Sequence, residues 1–468
     1  MQYKKVQRAV VAATGVGARA DSFAGMTDVE LSQRISKRKY LMTSIISRAL
    51  DRGLELNERF ALAAGNGFDW LFRRDELVKS GRTDYEIIYV GDLMSVRYYG
   101  PPEEKEIQLA NGEMMRVVRK QHAVPLVLVP PLGVTTETFD LMPNRSLARY
   151  MAASGFKTYL IDWGKPQKRH SHLGLKDYAD VMMSQALAKV HQHSGIAQVS
   201  LMGWCMGGLL SLMHAGLKKN PNIRNIAIVA SPIDLSSGGM VAGVAQALNT
   251  PAKLIRKFTD FRLHSVAPEK MHAPAWVTTL AFKLTDPVGS VTTYWDLVTR
   301  LWDREFVESH STTSDYLNNM LVYPAGVVQD MLVSVAVDNK LSTGEIPVGE
   351  KVSKFKNISA SLLAFAGEKD VLVSASMARR IMDLVSMDDK HFEVAPGGHM
   401  GVILGSSAQR VVWAKTAAWL VPRSKLAVVA KAKLPIKTVA KVKAKTPAKA
   451  PAKTRSLKPV RRRVTSTN

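Results

Sequence analysis

Residues 200–216 read SLMGWCMGGLLSLMHAG. A short apolar run ends here in Gly203-Trp204-Cys205-Met206-Gly207, and an apolar helical pattern follows. The frame is G-x-C-x-G, centred on the only cysteine of the chain. With serine at its centre the same frame is a nucleophile elbow, a sharp strand-to-helix turn that lifts one side chain off a sheet. Glycines on both sides let strand and helix backbones approach. The helix N-terminus beneath the side chain carries partial positive charge and favours a thiolate. Met206 would supply one backbone N–H to an oxyanion. Gly133 or Val134, in the PPLGVTT loop after an earlier apolar run, would supply the other. The same residues also admit a plainer reading, a buried and inert cysteine in a glycine-rich packing turn.

Outward from the elbow, the runs at 125–133, 158–164, 198–204, 223–232 and 359–370 are short, apolar on both faces and closed by turn residues. Such runs predict buried parallel strands. Helical patterns at 144–156, 175–195 and 207–221 lie between them. Strand alternating with helix predicts a doubly wound, mostly parallel α/β sheet. About 125 residues separate the fourth and fifth runs, far more than one crossover needs. We read 236–349 as a helical cap inserted over the carboxyl edge of the sheet, where open α/β sheets bind ligands. The core is then 96–235 plus 350–424. Residues 1–95 carry apolar positions three and four apart and predict a helical extension.

An elbow nucleophile needs an acid and then a histidine later in the chain. Asp370 follows LLAFAGEK at a predicted strand end, and His399 follows FEVAPGG at the next. The interval holds one helix and one strand. The competing reading makes Asp370 a helix N-terminal acid and His399 an ordinary loop residue. Glu368 is the fallback acid. Asp162 and Asp234, also at strand ends, are read as loop anchors. His170, His172, His191 and His193 lie in polar stretches and are expected to be solvated. In triad logic His399 takes the proton of Cys205, and Asp370 fixes the imidazole tautomer. A thiol nucleophile suits a thioester, since exchange between sulfurs is nearly balanced in energy.

The chain carries a net charge of +24, from 64 Lys and Arg against 40 Asp and Glu. Residues 425–468 hold 14 of the basic residues and no acid, leaving +10 for residues 1–424. This Lys/Ala/Pro tail cannot bury enough apolar surface to order itself and is expected to be disordered. It is expected either to solubilise the chain or to grip a polyanion such as DNA, polyphosphate or a granule coat. One cysteine excludes an internal disulfide and fits a reducing, cytoplasmic setting. No apolar run of about 18 residues marks a transmembrane helix. No histidine–acid cluster has metal-ligand spacing, and no cofactor is expected.

VPPLG…FDLMPNRSLARYMAASGFKTYLIDWGKP, GWCMGG, ASPIDL, VDNKLSTGE, GEKDVLV and GGHMGV, in this order, resemble the polyhydroxyalkanoate synthases over roughly 90 to 420. The likeness is to the shorter catalytic subunit of two-subunit enzymes. It implies an α/β-hydrolase core with a gating cap. It also implies a cysteine acyltransferase that polymerises (R)-3-hydroxyacyl-CoA and releases CoA. Cys205 would carry the acyl group, His399 would be the base, and Asp370 would help activate the substrate's 3-hydroxyl. A second synthase subunit or a homodimer partner, and a place at a storage-granule surface, follow from the same resemblance. Departures from the family pattern fall at Trp204 in the elbow, at GVTTETF after the first core strand, and at Val371. The cap stretch VESHSTTSDYLNNMLVYPAG also lacks the family's aromatic-rich motif. A thioesterase or esterase with the same triad, and a granule- or nucleic-acid-associated protein working through its tail, remain the alternatives.

Overall fold

The computed structural model describes residues 57–238 and 295–425 without interruption, and a few isolated positions outside them. Its main sheet contains β1 (Tyr85–Val90), β2 (Ser95–Tyr99), β3 (Leu126–Val129), β4 (Thr158–Asp162), β5 (Val199–Trp204), β6 (Ile223–Val229), β7 (Ser361–Gly367) and β8 (Lys390–Ala395). Their spatial order is β8-β7-β6-β5-β3-β4-β2-β1. From β8 to β4 all neighbours are parallel, and β2 and β1 continue the sheet as antiparallel strands. β5, which leads into the elbow, lies between β3 and β6 and is buried throughout.

Burial on both faces explains why the central strands lack polar alternation. Val199 and Leu201 point into one core with Val127, Val129 and Ile161. Met202 and Trp204 point into the other with Leu126, Leu128 and Val229. The two-residue period of a strand divides a continuous apolar run between the two layers. Crossovers pass through α1 (Leu147–Ala153), α2 (Met183–Ser194) and α3 (Met206–Gly216), as the sequence pattern predicts. Ser146 caps α1 by accepting from the Arg149 N–H at 3.0 Å.

Two expectations change at the edges of the core. The sheet begins at Tyr85, inside the stretch expected to be helical up to 95. β1 is half-buried along its length, so YEIIYV lacks the dense apolar signature of the central strands. A helix does occupy 57–72, and most of 1–56 lies outside the described residues. That helix packs on the late part of the expected cap: Asn66 donates to the Leu301 carbonyl at 2.7 Å, and Arg304 pairs with Asp69 at 2.5 Å. Trp70, Leu77, Leu297, Leu301 and Val307 form a small apolar cluster between them.

Of the expected cap, the stretch 239–294 lies almost wholly outside the described residues. Beyond it, α4 (Arg304–Asn318) is capped by Asp303, and α5 (Ala325–Asp330) starts after Pro324. The helical reading of YLNNMLVYPAG fails between them. Pro324 disfavours helix in the residue before it, and 319–324 form a non-helical strap. The hairpin Glu345–Val348 with Lys351–Lys354 straddles the expected boundary between cap and core at 349/350. In the tail, Arg461–Arg462 pair antiparallel with Tyr85 and Glu86 of β1, and the rest of 426–468 lies outside the described residues.

Candidate active site

Cys205 stands at the β5–α3 turn with φ 51° and ψ −119°, a backbone state that L residues adopt only under constraint. The constraint is visible around it. Its N–H donates to the Val229 carbonyl at 2.8 Å. Its own carbonyl accepts from the Gly208 N–H at 3.1 Å, the Leu209 N–H at 3.2 Å and the Ser231 hydroxyl at 2.9 Å. Glycine at 207 is required by contact: a Cβ there would lie 2.0 Å from the Val129 carbonyl oxygen. The α3 N-terminus is thereby pressed against β3, and the Cys205 side chain is left partly accessible above it.

Asp370 and His399 follow β7 and β8, the two strands at one end of the sheet. One oxygen of Asp370 accepts from the Leu372 and Val373 N–H groups at 2.9 and 2.8 Å. The other is 2.8 Å from His399 Nδ1, and both side chains are fully buried. With Asp370 ionised, this contact assigns the Nδ1 proton to the histidine. Burial pulls His399 toward the neutral form, but the Cys205 charge, a hydrogen bond with each of Asp370 and Cys205, and the Asp370 charge outweigh it. His399 is raised to about 10. The Trp204 ring lies 5.3 Å from the imidazole, centroid to centroid, at 38°, and bounds its movement. The pair can therefore hold imidazolium beside thiolate, which is the reactive form of a cysteine nucleophile.

Met206 opens α3 beside Cys205, and Gly133 and Val134 lie in the loop after β3, the strand adjacent to β5. Gly133 takes φ +80°. Other candidates fall elsewhere. Glu368 is exposed and its side chain has no role beside His399. Asp162 pairs with Arg97 at 2.6 Å and accepts from the Gly164 N–H at 2.9 Å, so it anchors a loop. Asp234 accepts from Ser236, Ser237 and Asn339 and does the same. His170 corrects the expectation of a solvated side chain: it is buried and lies 3.3 Å from Asp92. His172 and His191 are exposed. Among the described residues no cluster of His, Cys, Asp or Glu could hold a metal ion, and no helix is long and apolar enough to cross a membrane.

Two tyrosines that the sequence reading passed over reach the same place. Tyr316, near the end of α4, is buried and shares a 2.6 Å hydrogen bond with Thr138. Tyr323, in the strap, lies over Gly133. Burial is the largest influence raising both phenols far above the ordinary tyrosine range, and the Cys205 charge adds to it. Both therefore remain protonated beside a thiolate. Only their aromatic character marked them in the sequence, since each is more than 100 residues from Cys205.

Residues 125–406 match the family model for the alpha/beta hydrolase fold. The chain belongs to that family. Within it the chain resembles the polyhydroxyalkanoate synthases. It is similar to poly(3-hydroxyalkanoate) polymerase subunit PhaC of Haloferax mediterranei, 26% identical over 352 residues, covering 74% of this chain and 66% of that one. The Haloarcula marismortui subunit of the same name is also 26% identical, over 75% of this chain and 70% of its own. The Allochromatium vinosum subunit is 24% identical over 77% of this chain and 94% of its own. In the α/β-hydrolase frame Cys205 stands at the turn between a central strand and the next helix.

Proposed function

We propose that this protein is a cysteine-dependent acyltransferase that joins (R)-3-hydroxyacyl-CoA units into a polyester. The Cys205 thiolate attacks the thioester carbonyl, and the developing oxyanion lies toward the Met206 and Gly133–Val134 backbone. CoA leaves as a thiolate and takes the proton of the His399 imidazolium, which gives acyl-Cys205 and free CoA. The 3-hydroxyl of a second unit then attacks the acyl-enzyme. His399 takes that hydroxyl proton, an ester bond forms, and the Cys205 thiolate is released. Asp370 holds His399 through Nδ1 and steadies its charged form.

The observation that supports this reading most is the thiol at the elbow beside a histidine raised to about 10. A thiolate held by an imidazolium attacks a thioester without first losing a proton to bulk base. The names of the three relatives support the polymerising outcome. A second synthase subunit or a second copy of the chain is the natural partner. The tail would hold the enzyme at a polyanionic or granule surface.

The test is direct. Purified full-length protein is incubated with 3-hydroxybutyryl-CoA, alone and with a synthase partner subunit, and CoA release and insoluble polymer are followed. Both are expected, and Cys205→Ala should abolish both. CoA release without polymer in either arm would make the protein a thioesterase. No release from several acyl-CoAs, with Cys205 inert to alkylation, would end the enzymatic reading.

A further inference from the structure

We propose that Tyr323 is the wall that sets the size of the acyl group admitted beside Cys205, through its ring seated on Gly133. The acyl part of this inference rests on the transferase reading above; the control of access to the thiol does not. Gly133 is the first point of support. A Cβ on that residue would lie 2.2, 2.8 and 3.0 Å from three atoms of the Tyr323 ring, so the ring occupies the space a side chain at 133 would need. The left-handed backbone at φ +80° turns that open face of the loop toward the tyrosine.

The strap that carries Tyr323 is fastened at both ends. The Leu321 N–H donates to the Gly133 carbonyl at 2.8 Å. Before it, the Tyr316 hydroxyl meets Thr138 at 2.6 Å in the same loop. After it, Pro324 fixes one backbone angle, and the Gly326 N–H donates to the Ser171 carbonyl at 2.8 Å. The backbone that carries the ring is thus held on either side. The loop under the ring runs beside the elbow: a Cβ on Gly207, two residues past Cys205, would lie 2.8 Å from the backbone of Pro130, three residues before Gly133. An aromatic wall beside a nucleophile discriminates by length, since a methylene that does not fit lowers the rate by roughly 10- to 200-fold. Nothing in this argument uses the hydroxyl, so phenylalanine should serve as well as tyrosine.

The single cysteine makes a clean experiment, because thiol probes report Cys205 alone. Methyl and octyl methanethiosulfonate differ only in chain length and react by the same displacement at sulfur. In the full-length protein, Tyr323→Ala should raise the octyl-to-methyl rate ratio by about tenfold or more. Tyr323→Phe should leave the ratio unchanged, and Tyr323→Leu should fall between. Thermal unfolding of each variant identifies one that has lost its fold, and the leucine variant then carries the comparison. A ratio unmoved in the folded alanine or leucine variant, or both rates rising together, would overturn the proposal. CoA release from 3-hydroxybutyryl-CoA and 3-hydroxyoctanoyl-CoA forms the second arm, with preference expected to shift to the longer substrate. If the wild type releases CoA from neither, the transferase reading fails while the probe ratio still decides the wall.

Discussion

Cys205 and His399 set each other's charge. Because His399 is raised to about 10, its imidazolium contributes stability in full below its ordinary pKa of about 6.5, and loses it as pH rises toward 10. Removing the partner charge with Cys205→Ala should lower the His399 titration, which imidazole NMR reads directly; an unmoved titration would mean that Asp370 alone sustains the imidazolium. Asp370→Asn keeps the shape of the acid but not its charge. CoA release should fall by a thousandfold or more, the order expected when a triad histidine loses its orienting carboxylate. These three positions were legible in the sequence because each lies just after a strand, in the order an elbow requires. Tyr316 and Tyr323 were not. Their approach to Gly133 and Thr138 spans roughly 180 residues of chain, and no local periodicity encodes it.

At the scale of elements, the elbow depends on how closely α3 meets the sheet. Gly207→Ala would force a methyl onto the Val129 carbonyl oxygen and push α3 outward. Urea unfolding should show a loss of about 1–3 kcal/mol, and Cys205 alkylation should slow as its helix shifts. The loop after β3 carries a second sensitive point. Burial raises Asp140 to about 6, against partial relief from the Thr83 and Ser146 hydroxyls. The folded state therefore binds this proton more tightly than the unfolded chain. The contribution of Asp140 to stability is greatest below about pH 4 and is lost as pH rises through 6, about 3 kcal/mol in total. Asp140→Asn should flatten the dependence of the unfolding midpoint on pH over that interval. The central strands could be read from sequence because burial on both faces leaves an unbroken apolar run. β1 could not, because a half-buried edge strand next to an amphipathic helix resembles its neighbour. The strap at 319–324 was read as helix because its apolar spacing is helical, and Pro324 decides otherwise.

Across the whole molecule the charge is unevenly held. Residues 425–468 contribute 14 basic residues and no acid, while the hydrolase core carries its own complement of surface ion pairs. If the tail grips a polyanion, a chain ending at 424 should match the full-length chain in the proposed CoA release and bind DNA or polyphosphate far more weakly. The full-length chain should show the steep salt dependence of counterion release, and the shortened one a much shallower slope. Equal retention of both at low salt would remove the tail from polyanion binding. The first helix among the described residues is tied into the structure. The helix at 57–72 bonds to Leu301 and Arg304, so an N-terminal truncation beyond Asn66 should destabilise α4 and, through Tyr316, loosen the strap over the nucleophile.

The backbone of Cys205 costs the folded protein about 1–3 kcal/mol, because only glycine adopts φ 51° with ψ −119° freely. Cys205→Gly relieves that strain and, like Cys205→Ala, removes the charge beside His399, so the glycine variant should melt at a higher temperature than the alanine variant, which keeps the strained backbone. On the proposed reading, the strain at 205 is the cost of holding a thiol at the tip of the turn, where a glycine would be relaxed and inert.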